Sequence, residues 1–307
     1  MAEPKRFLIL GNAESAERFA DGFIESGMSC VGAVSLMDEL LPDNSKGLSF
    51  WASKRKTQCF KISDVNGVEF KRIVEQTNPQ FLLAQWPKIL NQTTLGMFSA
   101  GSIGSHPSHL PWGRGRHPLH WQIAMGYSKT FLSIFQLTAE IDAGPLFLQV
   151  PIEIDHDETV LTLNGKVNNA LYYGGLLLGE RLMVNGFIHE VQMPTGLGST
   201  WRKRTIEDIE IDCRMSRDSI SRLVRSILPP YVGARLVTEF GSLVVLGTRE
   251  SHVSDWNYYQ IGAILKIGSD SLTVRVDDGP IELVVNGFIP EGIVQGGFVM
   301  TPSFYRR

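Results

Sequence analysis

An α/β domain with a mostly parallel sheet, followed by a small mainly-β domain, is the architecture that this 307-residue sequence predicts. Three observations predict it. The chain opens on a strand–helix–strand pattern, and such units build parallel sheets with right-handed crossovers. One long helical pattern, residues 159–184, precedes a Pro/Gly/Ser stretch where the composition changes. After Ala234 strands and turns dominate, at the spacing of a small β-barrel or sandwich.

The elements follow in order. Residues 6–10 (RFLIL) are a continuous apolar run, as a strand covered on both faces requires. Gly11 and Asn12 make the turn. Residues 13–26 read as a helix with Ala16, Phe19, Ala20 and Phe23 on one stripe, and Gly27 stops it. Residues 30–35 (CVGAVS) are the next strand. The turn has Gly11 but no G-x-G-x-x-G, so a dinucleotide fingerprint is absent. Residues 36–53, with Pro42, Asn44 and Gly47, read as an irregular surface excursion. Residues 68–76 have helical spacing, Asn78-Pro79 breaks it, and 81–85 (FLLAQ) is a buried strand. Trp86, Pro87, Lys88, Ile89 and Leu90 follow at the strand's C-terminal end, the edge where open α/β sheets bind ligands. Residues 93–98 predict a turn of helix, and 102–105 (SIGS) a short strand with His106 at its C-terminal end. Residues 119–125 predict a helix stopped by Gly126, 130–137 an alternating strand, and 146–154 another strand. The pattern over 159–184 carries Leu161, Val167, Ala170, Leu171, Leu176 and Leu182, and Gly186 closes it.

Residues 193–199 (MPTGLGS) read as a linker. Residues 202–225 are densely charged, but basic and acidic side chains nearly cancel, which describes a solvated face rather than a nucleic-acid arm. Ile220, Leu223, Val224 and Ile227 make a helical stripe over 216–228 that Pro229-Pro230 ends. Residues 234–240, 242–247, 263–268, 272–276 and 281–287 then read as strands. The match between NGFIHE at 185 and NGFIPE at 286 falls in unlike contexts and is chance, not a repeat. The division is thus a domain over 1–192, a linker over 193–204 and a second domain over 205–307 with a leading helix.

Composition narrows the class. A 43% apolar and 20% charged chain is that of a soluble globular protein. The net charge of −3 argues against a dedicated nucleic-acid binder. No apolar run approaches the roughly 18 residues needed to cross a bilayer. The N-terminus reads as a first strand rather than a signal peptide. Three scattered cysteines, Cys30, Cys59 and Cys213, fit neither a disulfide framework nor a zinc ribbon and point to the cytosol.

The chemistry concentrates between Phe98 and Gln149. Four of the seven histidines lie here: His106, His109, His117 and His120. Residues 76–139 contain no Asp or Glu, but include Lys88, Arg114, Arg116 and Lys129. Composition alone leaves two readings open: a site for an anionic substrate with an acid–base group at its centre, and a loop-rich stretch whose histidines face solvent. A metal is not expected. His106-x-x-His109 and His117-x-x-His120 would need a helix to converge, and Pro107, Pro111, Gly113 and Gly115 oppose one. Ser108 follows His106 without a G-x-S-x-G elbow, which argues against a serine nucleophile. A histidine at a strand end with one aspartate in a later loop suits general-base work on an attacking amine.

These residues resemble a family. His106-Pro107-Ser108-His109-Leu110-Pro111, then Arg114-Gly115, Pro118, Trp121 and Asp142-Ala143-Gly144, are similar to the pattern of formyltransferases that use N10-formyltetrahydrofolate. The likeness runs in element order from Arg6 to about Met193. Arg204-Thr205, the helix around Leu223, Pro230 and Gly233-Ala234 resemble the C-terminal β-domain of methionyl-tRNA and several sugar-amine formyltransferases. The resemblance implies a Rossmann-like catalytic domain and an OB-like C-terminal domain. It implies His106 and Asp142 as catalytic, with the pterin held by Trp86, Lys88, Ile89 and Leu90 on one side. Thr138, Ala139, Glu140 and Ile141 form the other wall. Ser108, Arg114 and Arg116 become candidates for binding the acceptor.

Each has a plainer reading: Asp142 as a turn residue capping its own backbone, Trp86 as core, the arginines as solvated loop charge. One departure matters. The family's catalytic Asn, which helps to stabilise the oxyanion, falls on Gly104. Removing such a donor costs on the order of 10² to 10³ in rate, so Ser102, Ser105 or the Gly104 N–H must replace it, or the protein binds folate without turnover. The acceptor expected is the primary amine of an amino sugar, nucleotide-linked, in cell-surface polysaccharide biosynthesis. Methionyl-tRNA is the alternative, opposed by the lack of a basic excess over 204–307. No membrane partner is expected, and a homodimer is allowed.

Overall fold

The computed structural model describes residues 5–43, 45–185, 190–194 and 196–300. Gly186, read as the stop of the long helix, lies outside the described residues. The chain divides into two compact units. The first comprises Met1–Gly115, Lys129–Glu153 and Asn164–Trp201; the second comprises Arg116–Ser128, Ile154–Leu163 and Arg202–Arg307.

The first unit starts with β1 (Arg6–Gly11), α1 (Glu14–Glu25) and β2 (Ser29–Leu36), then α2 (Ser49–Lys54), β3 (Cys59–Ile62), α3 (Val68–Thr77), β4 (Phe81–Gln85), α4 (Gln92–Leu95), β5 (Ser102–His106) and β6 (Arg114–Gly115). After α5 (Pro118–Ala124), which belongs to the second unit, come β7 (Lys129–Gln136), β8 (Leu146–Glu153), α6 (Val160–Asn185) and β9 (Thr200–Trp201). Seven strands form one sheet in the order β3-β2-β1-β4-β5-β7-β8. Strands β3, β2, β1, β4 and β5 pair in parallel, and β7 and β8 add antiparallel. The apolar run of β1 has the reason expected: Phe7, Leu8, Ile9 and Leu10 have no exposed surface, because helices cover both faces of a parallel sheet. Ala16, Phe19, Ala20 and Phe23 of α1 are equally buried.

The region read as an irregular excursion contains structure. Trp51 and Ala52 of α2 are buried, and the Trp51 indole donates to Asp21 Oδ1 at 2.8 Å. A six-residue helix is too short to show a period in sequence and is held by this packing instead. Strand β3 was also not foreseen. The helical turn expected over 93–98 falls at α4, where the Asn91 side chain caps by accepting from the Thr94 N–H at 2.8 Å.

The second unit is built on a five-stranded antiparallel sheet: β10 (Ala234–Thr238), β11 (Gly241–Glu250), β12 (Ile264–Ile267), β13 (Ser271–Val276) and β14 (Gly279–Val285), ordered β10-β11-β14-β13-β12. The segment 296–300 bridges its two edges. Gly296 and Val299 donate to Ile264 and Gly262, Ile264 donates back to Gly297, and Met300 donates to Val237 of β10. That closure gives the barrel-like form expected of the C-terminal strands. Helix α7 (Arg217–Arg225) is capped by Ser216 and buries Ile220, Leu223 and Val224 in the same core as Leu236, Val274 and Leu283.

Candidate active site

Strand β5 ends on His106, and the sheet fixes where that end points. β5 lies between β4 and β7, with His106 opposite Ser133. The loop beyond it folds back on itself. Ser108 is buried, its hydroxyl donates to the Trp112 carbonyl at 2.9 Å, and its own carbonyl accepts from Ser133 Oγ at 2.6 Å. That turn delivers residues 113–115 to the histidine. His106 Nε2 lies 2.8 Å from the Gly113 carbonyl. A carbonyl only accepts, so Nε2 carries a hydrogen and Nδ1 is the ring nitrogen whose proton can change.

Asp142 faces that nitrogen. Its Oδ2 lies 3.6 Å from His106 Nδ1 and accepts the Gly115 N–H at 2.9 Å. The His106 side chain is 8% exposed and that of Asp142 17%, so the pair is largely shielded from bulk water. Asp142 has φ +50°, a left-handed conformation that Asp tolerates better than most residues. The two residues predicted to act together are therefore adjacent, across 36 positions of sequence, and the main chain on either side of Arg114 touches both.

The other predicted positions sort by element. Trp86 is half-buried at the exit of β4, with its indole N–H buried and without a hydrogen-bond partner. Lys88 and Ile89 are exposed and Leu90 is buried. This loop is braced by Asn66, which donates to the Ile89 carbonyl and accepts the Asn91 N–H. Thr138, Ala139, Glu140 and Ile141 are all exposed, in the turn between β7 and β8. Arg114 is half-buried, with its Nε lacking a partner and its Nη1 4.0 Å from Glu140 Oε1. Arg116 is exposed and belongs to the second unit.

The histidines do not assemble a metal site. His109 is exposed and stacks on Phe131 at 4.1 Å between ring centroids. His117 and His120 lie in the second unit. There His120 Nδ1 is 2.6 Å from the Ser226 carbonyl, and burial, reinforced by the nearby Arg204 charge, pushes its pKa down to about 4. Burial lowers His117 as well, with help from Arg116, Arg204 and Lys203. Among the described residues no group of three or more His, Cys, Asp or Glu is placed to hold a metal ion.

The structure also shows what occupies the surroundings of Gly104. A Cβ placed there would sit 2.4 Å from Leu137 Cδ2 and 3.0 Å from its Cγ. Leu137 thus fills the space that any larger side chain at 104 would need. Of the polar groups near it in sequence, Ser105 Oγ accepts from Gln85 Nε2 at 2.8 Å, and Ser102 Oγ is buried without a partner. Leu137 and the main-chain groups of Gly113 and Gly115 escaped sequence reading. The glycines flanking Arg114 were the one local signal for the latter.

A family model described as formyl transferase matches residues 9–173. Among solved structures, WlaRD, a sugar 3N-formyl transferase with dTDP and 5-N-formyl-THF, superposes at a TM-score of 0.64 and 12% identity, covering 94% of this chain and 100% of that one. An N-formyltransferase from Helicobacter canadensis, with folinic acid and dTDP-3-aminofucose, gives 0.65 and 12%, covering 92% and 100%. HypX from Aquifex aeolicus gives 0.63 and 14%, and this chain spans 45% of its length. Methionyl-tRNA formyltransferase from Clostridium thermocellum gives 0.57 and 16%, covering 81% and 94%. At these identities the superpositions establish a shared fold. The family model matches more than half of the sequence, and the chain belongs to the formyl transferase family of enzymes.

Proposed function

We propose that this protein transfers a formyl group from N10-formyltetrahydrofolate to the primary amine of a nucleotide-linked amino sugar. The observation that carries the reading is the His106–Asp142 pair, shielded and held by main-chain groups on both sides of Arg114. The fit to the formyl donor rests on the β4 exit loop. An unpartnered indole N–H at Trp86 and the exposed apolar side chains of Ile89 and Ile141 suit a flat, polar heterocycle. Trp86, Lys88, Ile89 and Leu90 would hold it on one side and Thr138, Ala139, Glu140 and Ile141 on the other. When bound, it supplies the activated formyl carbon.

The chain's own groups then handle the proton. His106 Nε2 stays a donor to the Gly113 carbonyl. Nδ1 takes a proton from the acceptor amine, directly or through a water, and the Asp142 carboxylate stabilises the imidazolium that forms. Gly104 offers no side-chain donor for charge developing on oxygen, and Leu137 makes that place apolar. The hydroxyls of Ser102 and Ser105 and the Gly104 N–H are the donors that β5 offers in its place.

For the acceptor, two sugar N-formyltransferases cover nearly all of this chain and are covered completely by it. The residues from 204 onward carry no basic excess to bind tRNA. Arg114 is assigned to the acceptor, while the buried Ser108 hydroxyl is committed to the Trp112 carbonyl. A cytosolic enzyme serving cell-surface polysaccharide synthesis, as a homodimer, is consistent with the three unpaired cysteines and such a substrate.

The test is formyl transfer read by mass spectrometry, with a pool of amino-sugar nucleotides beside charged initiator tRNA as acceptors. A formyl adduct on one sugar, abolished by His106→Asn and by Asp142→Asn, is the expected outcome. An adduct on the tRNA alone would place the protein in translation initiation. Folate binding without any adduct would leave a binding protein without turnover.

A further inference from the structure

The segment read as a linker makes contacts that a linker does not need. Within the first unit, residues 198–201 lie along the loop that carries the His106 and Asp142 contacts. Gly198, at φ +120°, approaches the Pro111 carbonyl so closely that a Cβ would stand 2.3 Å from it. Ser199 then engages three successive stretches of the loop. Its N–H donates to the Pro111 carbonyl at 3.3 Å, its Oγ accepts the Gly113 N–H at 2.9 Å, and its carbonyl accepts the Arg114 N–H at 3.0 Å. Strand β9 continues this as a parallel pairing of Thr200 with Arg114 and Trp201 with Gly115. The Trp201 ring covers Gly113, where a Cβ would be 2.7 Å from the ring.

The consequence lies in one residue. Gly113 is gripped at its N–H by Ser199 Oγ, and its carbonyl is the partner of His106 Nε2. Two residues on, the Gly115 N–H holds Asp142 Oδ2, and Gly115 pairs with Trp201. These two main-chain contacts to the pair therefore come from a strip whose own position is set by residues 198–201. A carbonyl aimed at Nε2 keeps the hydrogen there and leaves Nδ1 to face the carboxylate.

We propose that residues 198–201 are a strap that positions the His106–Asp142 pair, with Ser199 as the positioning residue that fixes the His106 tautomer through Gly113. The inference rests on the reading of His106 and Asp142 as the proton-handling groups. The strap touches no reacting atom. Its effect is on how often His106 is correctly charged and aimed.

Two readouts separate this role from a merely structural one. The first is the ring 15N signature of His106 in the full-length labelled protein, assigned by comparison with His106→Gln. The second is the pH profile of formyl transfer, with kcat and KM resolved. Ser199→Ala is expected to give the His106 ring a visible share of the Nδ1–H tautomer. It should lower kcat about tenfold while moving KM less than twofold, since a small misplacement at the reacting centre costs rate more than binding. It should also shift the acid limb of the profile. Ser199→Thr, which keeps the hydroxyl, should restore all three. A Ser199→Ala protein with the wild-type 15N pattern and pH profile overturns the proposal, even if it is slower. Full activity in His106→Gln would instead overturn the parent reading, and the 15N comparison would still decide whether the strap sets the tautomer.

Discussion

Position 104 is where sequence and structure are most informative together. In sequence Gly104 is a missing donor; in the structure it is also the complement of Leu137, whose side chain lies where a Cβ would go. Gly104→Asn alone should therefore not restore a donor. It must displace a leucine that packs against Phe135 and Leu110, and overpacking of this kind costs about 1–3 kcal/mol. We expect a lowered urea midpoint for Gly104→Asn, recovered in part by adding Leu137→Ala, and equal midpoints for the single and double variants would refute the complementarity. At Asp142 the useful substitution is Asn, because Asn also tolerates a positive φ and can still accept the Gly115 N–H. It removes the charge facing His106 and little else. Turnover should fall by about 10² to 10⁴ while thermal stability stays close to wild type, measured by single-turnover formyl transfer beside a melting curve.

At the scale of elements, the glycines of α6 carry opposite predictions. Gly175 meets α1 directly: a Cβ there would be 2.7 Å from the Phe19 carbonyl, a backbone atom that cannot turn aside. Gly165, in the same helix, is exposed and has nothing within 4 Å of the same construction. Gly175→Ala should destabilise by about 1–3 kcal/mol, through the forced separation of two packed helices. Gly165→Ala should stabilise by about 0.5–1 kcal/mol, because alanine loses less backbone freedom in a helix. Denaturant midpoints of the two variants moving in the same direction would contradict this account. The long helix itself was legible from its apolar spacing. The reason for its glycines was not, because a close crossing involves α1, some 150 residues earlier in the chain. The same holds for α2 and β3, which are too short to show a period and are defined by what they pack against.

At the scale of the whole molecule, the parallel sheet and the C-terminal strands were legible because their patterns are local and repeat. The distribution of the chain between units was not. Residues 116–128 and 154–163 cluster with the C-terminal part, although they lie within the span 1–192 that reads as the first domain. Four histidines close together in sequence consequently have different surroundings, and one of them gives the chain a pH dependence unrelated to catalysis. His120 is half-buried, donates to the Ser226 carbonyl and packs edge-on against Tyr231 at 4.6 Å. Burial pushes its pKa down to about 4 in the fold, from the ordinary 6.5. The folded state thus binds its proton more weakly than the unfolded chain does. Above the unfolded value neither state is charged and nothing is lost. As pH falls from about 6.5 toward 4, the unfolded chain takes up the proton first, so stability declines across that window and levels off below it. His117, lowered by burial and by Arg116, Arg204 and Lys203, acts with the same sign. We expect wild type to lose on the order of 2 kcal/mol over this interval beyond what a His120→Gln variant loses. Glutamine can keep the hydrogen bond to Ser226 but cannot titrate. Urea titrations of both proteins at pH 7, 5.5 and 4.5 would measure the difference, and parallel curves would mean that His120 is not held neutral by the fold.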